Sequence, residues 1–296
     1  MNIFRSLGKP EYLYRPRQIL RRLSRELHAP NKLEEIVLPW GLPICINPGE
    51  SIGSCIWRMG LYDLNVCEAL WRLCDPGELA LDIGANIGQM TGLLALRLGT
   101  SGKVVALEPH PDNFDRLALN ISLWRKFNGL GDIQILRKGA SDRTGSAQLF
   151  MPNYFDTNRG TASLEMHDQG SSSVHKVEIV RIDELIPLDS DIGVMKIDVE
   201  GHELCALEGM AKLFNSGAVR DVVFEEHRTP PTSVTRWFEE RDYHIFYLSS
   251  TIRGPKISRL GTSHKLHPEE APNYIATNEP QRALDRFGHS GWKVLG

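Results

Sequence analysis

One nine-residue run constrains this chain more than any other: Leu81-Asp82-Ile83-Gly84-Ala85-Asn86-Ile87-Gly88-Gln89. An apolar strand runs into a glycine turn, and a helical pattern starts at once. Glycine lets the backbone turn sharply and lets another group approach without a Cβ in the way. Strand–turn–helix units of this kind build parallel sheets with helices on both faces. Ligands of such sheets sit beyond the carboxyl ends of the strands.

The alternation continues through the chain. Strands are expected at Leu79 to Ile83, Lys103 to Leu107, Ile133 to Leu136, Val194 to Val199 and Val222 to Glu225. Helices are expected at Tyr62 to Leu73, Gly88 to Leu98, Pro111 to Trp124, Glu203 to Phe214 and Ser233 to Arg241, each with apolar residues at helical spacing. His244 to Leu248 and Tyr274 to Thr277 supply sixth and seventh strands, joined by a polar loop too long for a tight hairpin. Ala147 to Met151 and Val174 to Ile182 read as extra strands flanking a polar loop, Pro152 to Ser173. A loop of that length is usually functional or disordered.

Three regions follow: a cap at 1–54, the sheet domain at 55–278 and a tail at 279–296. The cap holds a hairpin at about 33–47 and a basic first stretch. There Arg5, Lys9, Arg15, Arg17, Arg21, Arg22 and Arg25 oppose only Glu11 and Glu26, with Leu20, Leu23 and Leu27 at helical spacing. Such a segment packs as a solvated cap helix, or meets an anionic membrane or acidic partner. Over the whole chain the charge is −3, without the basic excess of nucleic-acid binders. No apolar run reaches the roughly 18 residues of a membrane span, and the first residues lack a signal-peptide core. The five cysteines (Cys45, Cys55, Cys67, Cys74 and Cys205) match no CxxC metal knuckle. They read as buried thiols of a reducing cytoplasm.

The glycine turn selects among ligands. A dinucleotide fingerprint starting at Gly84 would need glycine where Asn86 and Gln89 stand. A Walker loop would need a GK[ST] ending that is absent. What remains is the acid-preceded G-x-x-x-G turn of sheets that bind S-adenosylmethionine (SAM). In that reading Asp82 engages the amino-acid part of SAM directly or through water, and Gly84, Ala85, Asn86 and Gly88 form the turn against it. Glu108 ends the next strand, 24 residues after Gly84, where a carboxylate can accept hydrogen bonds from both ribose hydroxyls. Gly139-Ala140-Ser141-Asp142 follows the third strand, which puts Ala140 beside the adenine.

The fourth strand reads Lys196-Ile197-Asp198-Val199-Glu200-Gly201-His202-Glu203. With the glycine turn and Glu108-Pro109, it resembles the FkbM family of SAM-dependent methyltransferases. The resemblance extends to Gly60-Leu61-Tyr62-Asp63, Val180-Arg181-Ile182-Asp183-Glu184-Leu185 and Asn273-Tyr274-Ile275-Ala276. It spans about residues 55 to 278. Where the family has Gly-x-Tyr-Glu, this chain has Asp63. The resemblance implies a class I methyltransferase: an α/β, Rossmann-like, seven-stranded sheet with flanking helices, here with an N-terminal cap. It also implies transfer to a hydroxyl of a small molecule, sugar or polyketide-type metabolite.

Methyl transfer from a sulfonium is an in-line displacement, in which alignment supplies roughly 7–11 kcal/mol. A base for the acceptor hydroxyl adds about 10²–10⁴-fold. Asp198, Glu200 and His202 cluster at the end of the fourth strand. Histidine side chains in general ionise near neutrality, at about 6.5, which makes His202 the candidate base. Asp198 can hold the SAM amino group, and Glu200 can act in catalysis or cap the following helix. Asp198 with Glu225 and His227 could form an oxygen-and-nitrogen metal site, though the spacing does not demand one and no metal is expected. Asn158-Arg159-Gly160 is expected to border the acceptor pocket.

Two rivals are weighed. A base-flipping nucleic-acid methyltransferase would place Asn/Asp-Pro-Pro-Tyr/Phe after the fourth strand, where Asp198-Val199-Glu200-Gly201 stands. A non-catalytic scaffold would have no need of Asp82, Gly84, Gly88 and Glu108 together. The acceptor, any metal dependence and the oligomeric state are not legible in the sequence.

Overall fold

The protein is described from a computed structural model, in which residues 9–16, 18–19, 32–152, 162–165, 171–260 and 272–296 are placed. A helical turn, Pro10–Leu13, is followed by the hairpin β1 (Glu34–Val37) and β2 (Pro43–Ile46), then by α1 (Ser51–Met59) and α2 (Leu64–Leu73). Helix α1 was not legible in the sequence.

Eight strands form the main sheet: β3 (Leu79–Ile83), β4 (Lys103–Leu107), β5 (Asp132–Leu136), β9 (Ile192–Ile197), β10 (Val219–Glu225), β11 (His244–Thr251), β12 (Gly254–Arg259) and β13 (Asn273–Thr277). Their order is β12-β11-β13-β10-β9-β3-β4-β5. The inner pairs are parallel, and β13 runs antiparallel to both β10 and β11. The seven expected strands are present in the class I methyltransferase arrangement. The eighth, β12, pairs with β11 as an edge hairpin inside the stretch expected to be loop.

Alternate residues of these strands serve opposite faces, as the pleat requires. Leu81, Val105, Met195 and Val222 pack on one side with α5 (Glu203–Glu208), α6 (Ala211–Asn215) and α7 (Ser233–Glu239). Ala80, Val104, Val194 and Val223 pack on the other with α2, α3 (Gln89–Leu98) and α8 (Pro280–Phe287). All six residues of β9 are buried, as expected of a strand covered on both faces.

The single helix expected from Glu203 to Phe214 is two. A Cβ on Gly209 would lie 2.0 Å from the Ser141 carbonyl oxygen, so the chain passes too closely there for a regular surface. Asp183 then starts the second helix by accepting from the backbone N–H groups of Lys212 and Leu213, at 3.2 and 3.1 Å.

The extra strands form their own sheet. Strand β7 (Gly145–Pro152) pairs antiparallel with β8 (Ser171–Val180), and β6 (Gly139–Ala140) pairs parallel with β8. Asn158-Arg159-Gly160 lies outside the described residues.

The two end regions are part of the packed body. In the cap, Asn120 of α4 (Pro111–Trp124) exchanges hydrogen bonds with the Cys45 backbone, at 2.6 and 3.3 Å. The same side chain donates to the Ile87 carbonyl at 2.7 Å, joining the hairpin to the glycine turn. Within the first stretch Tyr12 is buried, and Gln18 donates to the Arg58 carbonyl at 3.0 Å. Most of its basic residues lie outside the described residues.

Residues 279–296 are not a free tail. Arg72 and Glu68 form a fully buried ion pair, 2.7 Å apart. Arg72 also donates to the carbonyls of Arg286, His289 and Gly291, while Glu68 accepts from the backbone of Lys293 and Val294. All five cysteines are free thiols. Among the described residues, no helix is long and apolar enough to cross a membrane.

Candidate active site

A cleft of ≈ 920 Å³, open to solvent, lies beyond the carboxyl ends of β3, β4 and β9. Its floor is the glycine turn. Gly84 has φ +80, and a Cβ there would sit 1.9 Å from the Asp198 carbonyl oxygen. Only glycine lets β3 end beside β9 in this way. Gly88, at φ +93, is required for packing: its Cβ would meet Leu117 of α4 at 2.5 Å. The turn is braced by the end of β4, because the backbone N–H groups of Gly84 and Ala85 both donate to the Leu107 carbonyl, at 3.0 and 2.9 Å.

Glu108 is the tip of that brace. One carboxylate oxygen accepts from the Asn86 N–H at 2.8 Å and the other from the His110 N–H at 2.9 Å. The Asn113 side chain also hydrogen-bonds this carboxyl, which still leaves room for a further donor. Glu108 lines the cleft, and burial pushes its pKa up to about 7, against these hydrogen bonds. Leu107, Pro109, Gly139, Ala140, Leu149 and Leu164 make an apolar slot beside it.

Asp82 does not line the cleft. It is fully buried, accepts from Thr91 Oγ1 at 2.6 Å and pairs with Lys196 Nζ at 3.6 Å. A direct contact with a ligand, one of the two routes open from the sequence, is therefore closed. Lys196 connects the parts: its Nζ donates to the Gly84 carbonyl at 2.8 Å and lies 3.3 Å from Asp198 Oδ2. Burial opposes its charge, but the carboxylates of Asp198 and Asp82 outweigh burial and hold its pKa above the usual range. The sequence reading missed Lys196. The signal was its place two residues before Asp198, on the same face of β9.

Asp198 and Glu200 both line the cleft. Glu200 sits at φ +51, a conformation uncommon for a residue with a side chain. Its backbone carbonyl accepts from Ser163 Oγ at 2.6 Å. Among the described residues its carboxyl has no hydrogen-bond or salt-bridge partner. Burial, with the nearby charges of Asp198 and Glu203, pushes its pKa up to about 8. Glu203 accepts from the N–H groups of Val199 and Gly201, at 3.3 and 3.1 Å, and so holds this loop.

His202 does not line the cleft, against the expectation for a base. Both ring nitrogens are engaged: Nε2 lies 3.0 Å from Ser141 Oγ and Nδ1 lies 2.7 Å from Glu165 Oε1. The residue ties the β6 end and the insertion to the start of α5. Nor do the donors of Asp198, Glu225 and His227 converge. His227 is largely exposed and, among the described residues, pairs with Glu225 alone, at 3.2 Å. Among the described residues, the group of three with donor atoms within 4.8 Å of one another is Glu165, His202 and Cys205.

A smaller recess adjoins the cleft, lined by Tyr62, Asp63, Asp198, Glu225 and Asn273 among others. Burial, then the charges of Asp198 and Glu200, pushes the Glu225 pKa up. Gln89 holds Tyr62 at the junction, accepting from its N–H at 2.8 Å and donating to its carbonyl at 2.7 Å. Asp63 caps α2 through the Val66 N–H at 3.0 Å and accepts from Asn273 Nδ2, also at 3.0 Å.

The cleft combines apolar surface with the carboxyls of Glu108, Asp198 and Glu200, a lining that could take an adenine, a ribose diol and a cationic amino-acid end. Together with the strand order, this site defines a class I SAM-dependent methyltransferase. Residues 82–245 match the family model described as the methyltransferase FkbM domain, and the chain belongs to that family.

It is 32% identical over 193 residues to the hexuronic acid methyltransferase AglP of Haloferax volcanii, covering 62% of this chain and 72% of the relative. Among solved structures it is similar to a methyltransferase FkbM from Methylobacillus flagellatus KT. That match has 20% identity and a TM-score of 0.45, covering 67% of this chain and 43% of the other. A SAM-dependent O-methyltransferase from Thermotoga maritima matches with 15% identity and a TM-score of 0.42, covering 72% of this chain and 63% of the other. The chain thus spans less than two thirds of each of these two structures.

Proposed function

We propose that this enzyme methylates an oxygen of a small hydroxylated acceptor, a sugar of the hexuronic acid type, with Glu200 as the general base. The observation that carries this reading is the Glu200 carboxyl: it lines the cleft, has no partner among the described residues and has its pKa pushed up to about 8. A base works best with a pKa near the working pH. The sugar class is supported by the 32% identity to a hexuronic acid methyltransferase.

SAM supplies the methyl group, on a sulfonium that leaves as a neutral thioether. The chain binds and aligns. Glu108 would accept from the ribose hydroxyls, while Ala140 and its apolar neighbours would take the adenine. The turn from Gly84 to Gly88, with Ala85 and Asn86, and the Asp198 carboxylate would hold the amino-acid end, and Asp82 would act at one remove by holding Lys196. Glu200 takes the hydroxyl proton of the acceptor as the new oxygen–carbon bond forms. No divalent metal is needed in this scheme, so EDTA should leave the rate unchanged.

Incubation with labelled SAM and a panel of hexuronic acids, neutral sugars and phenols tests the reading. Label should enter the uronic acid at oxygen, and Glu200→Gln should slow transfer about 10²–10⁴-fold while SAM still binds. Label entering only phenols, or full activity in Glu200→Gln, would refute it.

A further inference from the structure

Glu200 holds a backbone conformation that a side chain disfavours, φ +51, and Gly201 follows at φ +93. Such a conformation persists only where the surroundings over-determine it. Two side chains grip this turn. Glu203 accepts from the N–H groups on either side of Glu200, those of Val199 and Gly201. Ser163 comes from a distant part of the chain and donates through Oγ to the Glu200 carbonyl itself, at 2.6 Å.

Ser163 is firmly placed for that contact. It is 1% exposed, and its backbone exchanges two hydrogen bonds with Phe150 of β7, at 2.8 and 3.0 Å. Its Oγ also accepts from the Glu165 N–H at 3.0 Å. A hydroxyl has a single proton, and the Glu200 carbonyl, which can only accept, takes it. Side chains alternate along this short extended stretch as they do along a strand. Ala162 and Leu164 line the cleft, whereas Ser163 and Glu165 reach the turn after β9, at Glu200 and His202. The insertion thus forms cleft wall with one face and grips the turn with the other. Because Ser163 is anchored on β7, its grip does not depend on the contact between Glu165 and His202.

The bond to the Glu200 carbonyl fixes the peptide plane between Glu200 and Gly201. It restrains the direction in which the Glu200 side chain leaves the backbone, and it leaves the carboxyl oxygens free to take a proton. We propose that Ser163 is a positioning residue for the reaction: its hydroxyl holds the turn after β9 in the form that directs the Glu200 carboxyl into the cleft. The proposal rests on the reading of Glu200 as the base.

Steady-state kinetics at saturating SAM test it, with methyl glucuronoside as acceptor. Ser163→Ala should lower kcat by up to about 10²-fold, the cost of a misplaced reacting group, with little change in acceptor KM, SAM affinity or melting temperature. In a Glu200→Gln background the same substitution should cost nothing further, because residues that act as a unit are not additive. Ser163→Cys is close in shape but a weak donor, so it should repeat the loss, and it replaces the alanine variant if that protein does not fold.

A second readout needs no acceptor. In ¹³C-glutamate NMR of the parent, the carboxyl that Glu200→Gln removes should titrate near about 8. In the Ser163 variants it should titrate lower, since burial is the main cause of its upward shift and a released turn exposes it. Parent-like rate and titration in the Ser163 variants, with Glu200→Gln slow, would overturn the role of Ser163 and leave the base reading standing. An equal loss in the Glu200→Gln background would overturn it too, because the hydroxyl would then act through another group. Full activity in Glu200→Gln would end the base reading and this role with it. If methyl glucuronoside is not turned over, the titration decides alone, and an unmoved value refutes the role.

Discussion

Lys196 and Asp82 face each other in register across the parallel pair β9 and β3, with Nζ 3.6 Å from Oδ1. Asp82 is fully buried and Lys196 is 7% exposed, so neither charge is solvated without the other. Lys196→Met should therefore cost about 3–5 kcal/mol of stability, the usual result of stranding one member of a buried pair. The double variant Asp82→Asn/Lys196→Met should recover a large part of that loss, because the stranded charge is gone. Urea unfolding of the parent, single and double variants measures the coupling. Additive losses would mean that the two residues do not act as a pair.

In the proposed role, Glu108 should make cofactor binding pH-dependent. Its pKa is pushed up to about 7 by burial, and only the carboxylate can accept from both ribose hydroxyls. SAM affinity should thus be constant above about pH 8 and fall by up to about tenfold per pH unit below 7. The ligand-free protein should respond in the opposite sense. A folded-state pKa above the unfolded value means that the native form holds the proton more tightly, so this group favours folding more as pH falls from about 7 towards 4.5. Calorimetric titrations of SAM from pH 8.5 to 5.5 check the first effect; a Glu108→Gln protein should lose both the affinity and its slope.

Glu200 and His202 can be separated by kinetics. Glu200→Gln should lower kcat about 10²–10⁴-fold with little change in SAM affinity. In the parent, kcat/KM should rise with pH through about 8, the value to which Glu200 is pushed. His202→Ala should keep that pH profile, because the imidazole bridges Ser141 and Glu165 away from the cleft. A profile that vanishes in His202→Ala but persists in Glu200→Gln would reverse the assignment.

Removing residues 279–296 should unfold the domain. The cut takes away three backbone carbonyls that accept from Arg72 and two N–H groups that donate to Glu68, at a pair with no exposed side-chain surface. It also uncovers core around Ala283, Phe287 and Trp292. Circular dichroism melting of the truncated chain should show no cooperative transition near that of the parent. A truncated protein that melts like the parent would mean that the closing helix adds nothing to stability.

The sequence by itself determined the sheet, its glycine turn and the acid that follows it. These are local features: apolar runs of strand length, helical periodicity, and a turn that needs positive φ at Gly84. The FkbM resemblance also fixed which strand ends converge, because strand order is a property of the family. The rest depended on contacts distant in sequence. Which acid of Asp198-Val199-Glu200-Gly201-His202 faces the cleft was decided by the turn after β9. There the backbone reverses through Glu200 at φ +51 and Gly201 at φ +93 and carries His202 away towards Ser141 and Glu165. Lys196 gained its partners only when β3 and β9 lay side by side. The closing segment reads as a polar tail because its helix is mostly charged on one face. It became core because Glu68 and Arg72, more than two hundred residues earlier, present a buried ion pair whose remaining hydrogen bonds only that backbone satisfies.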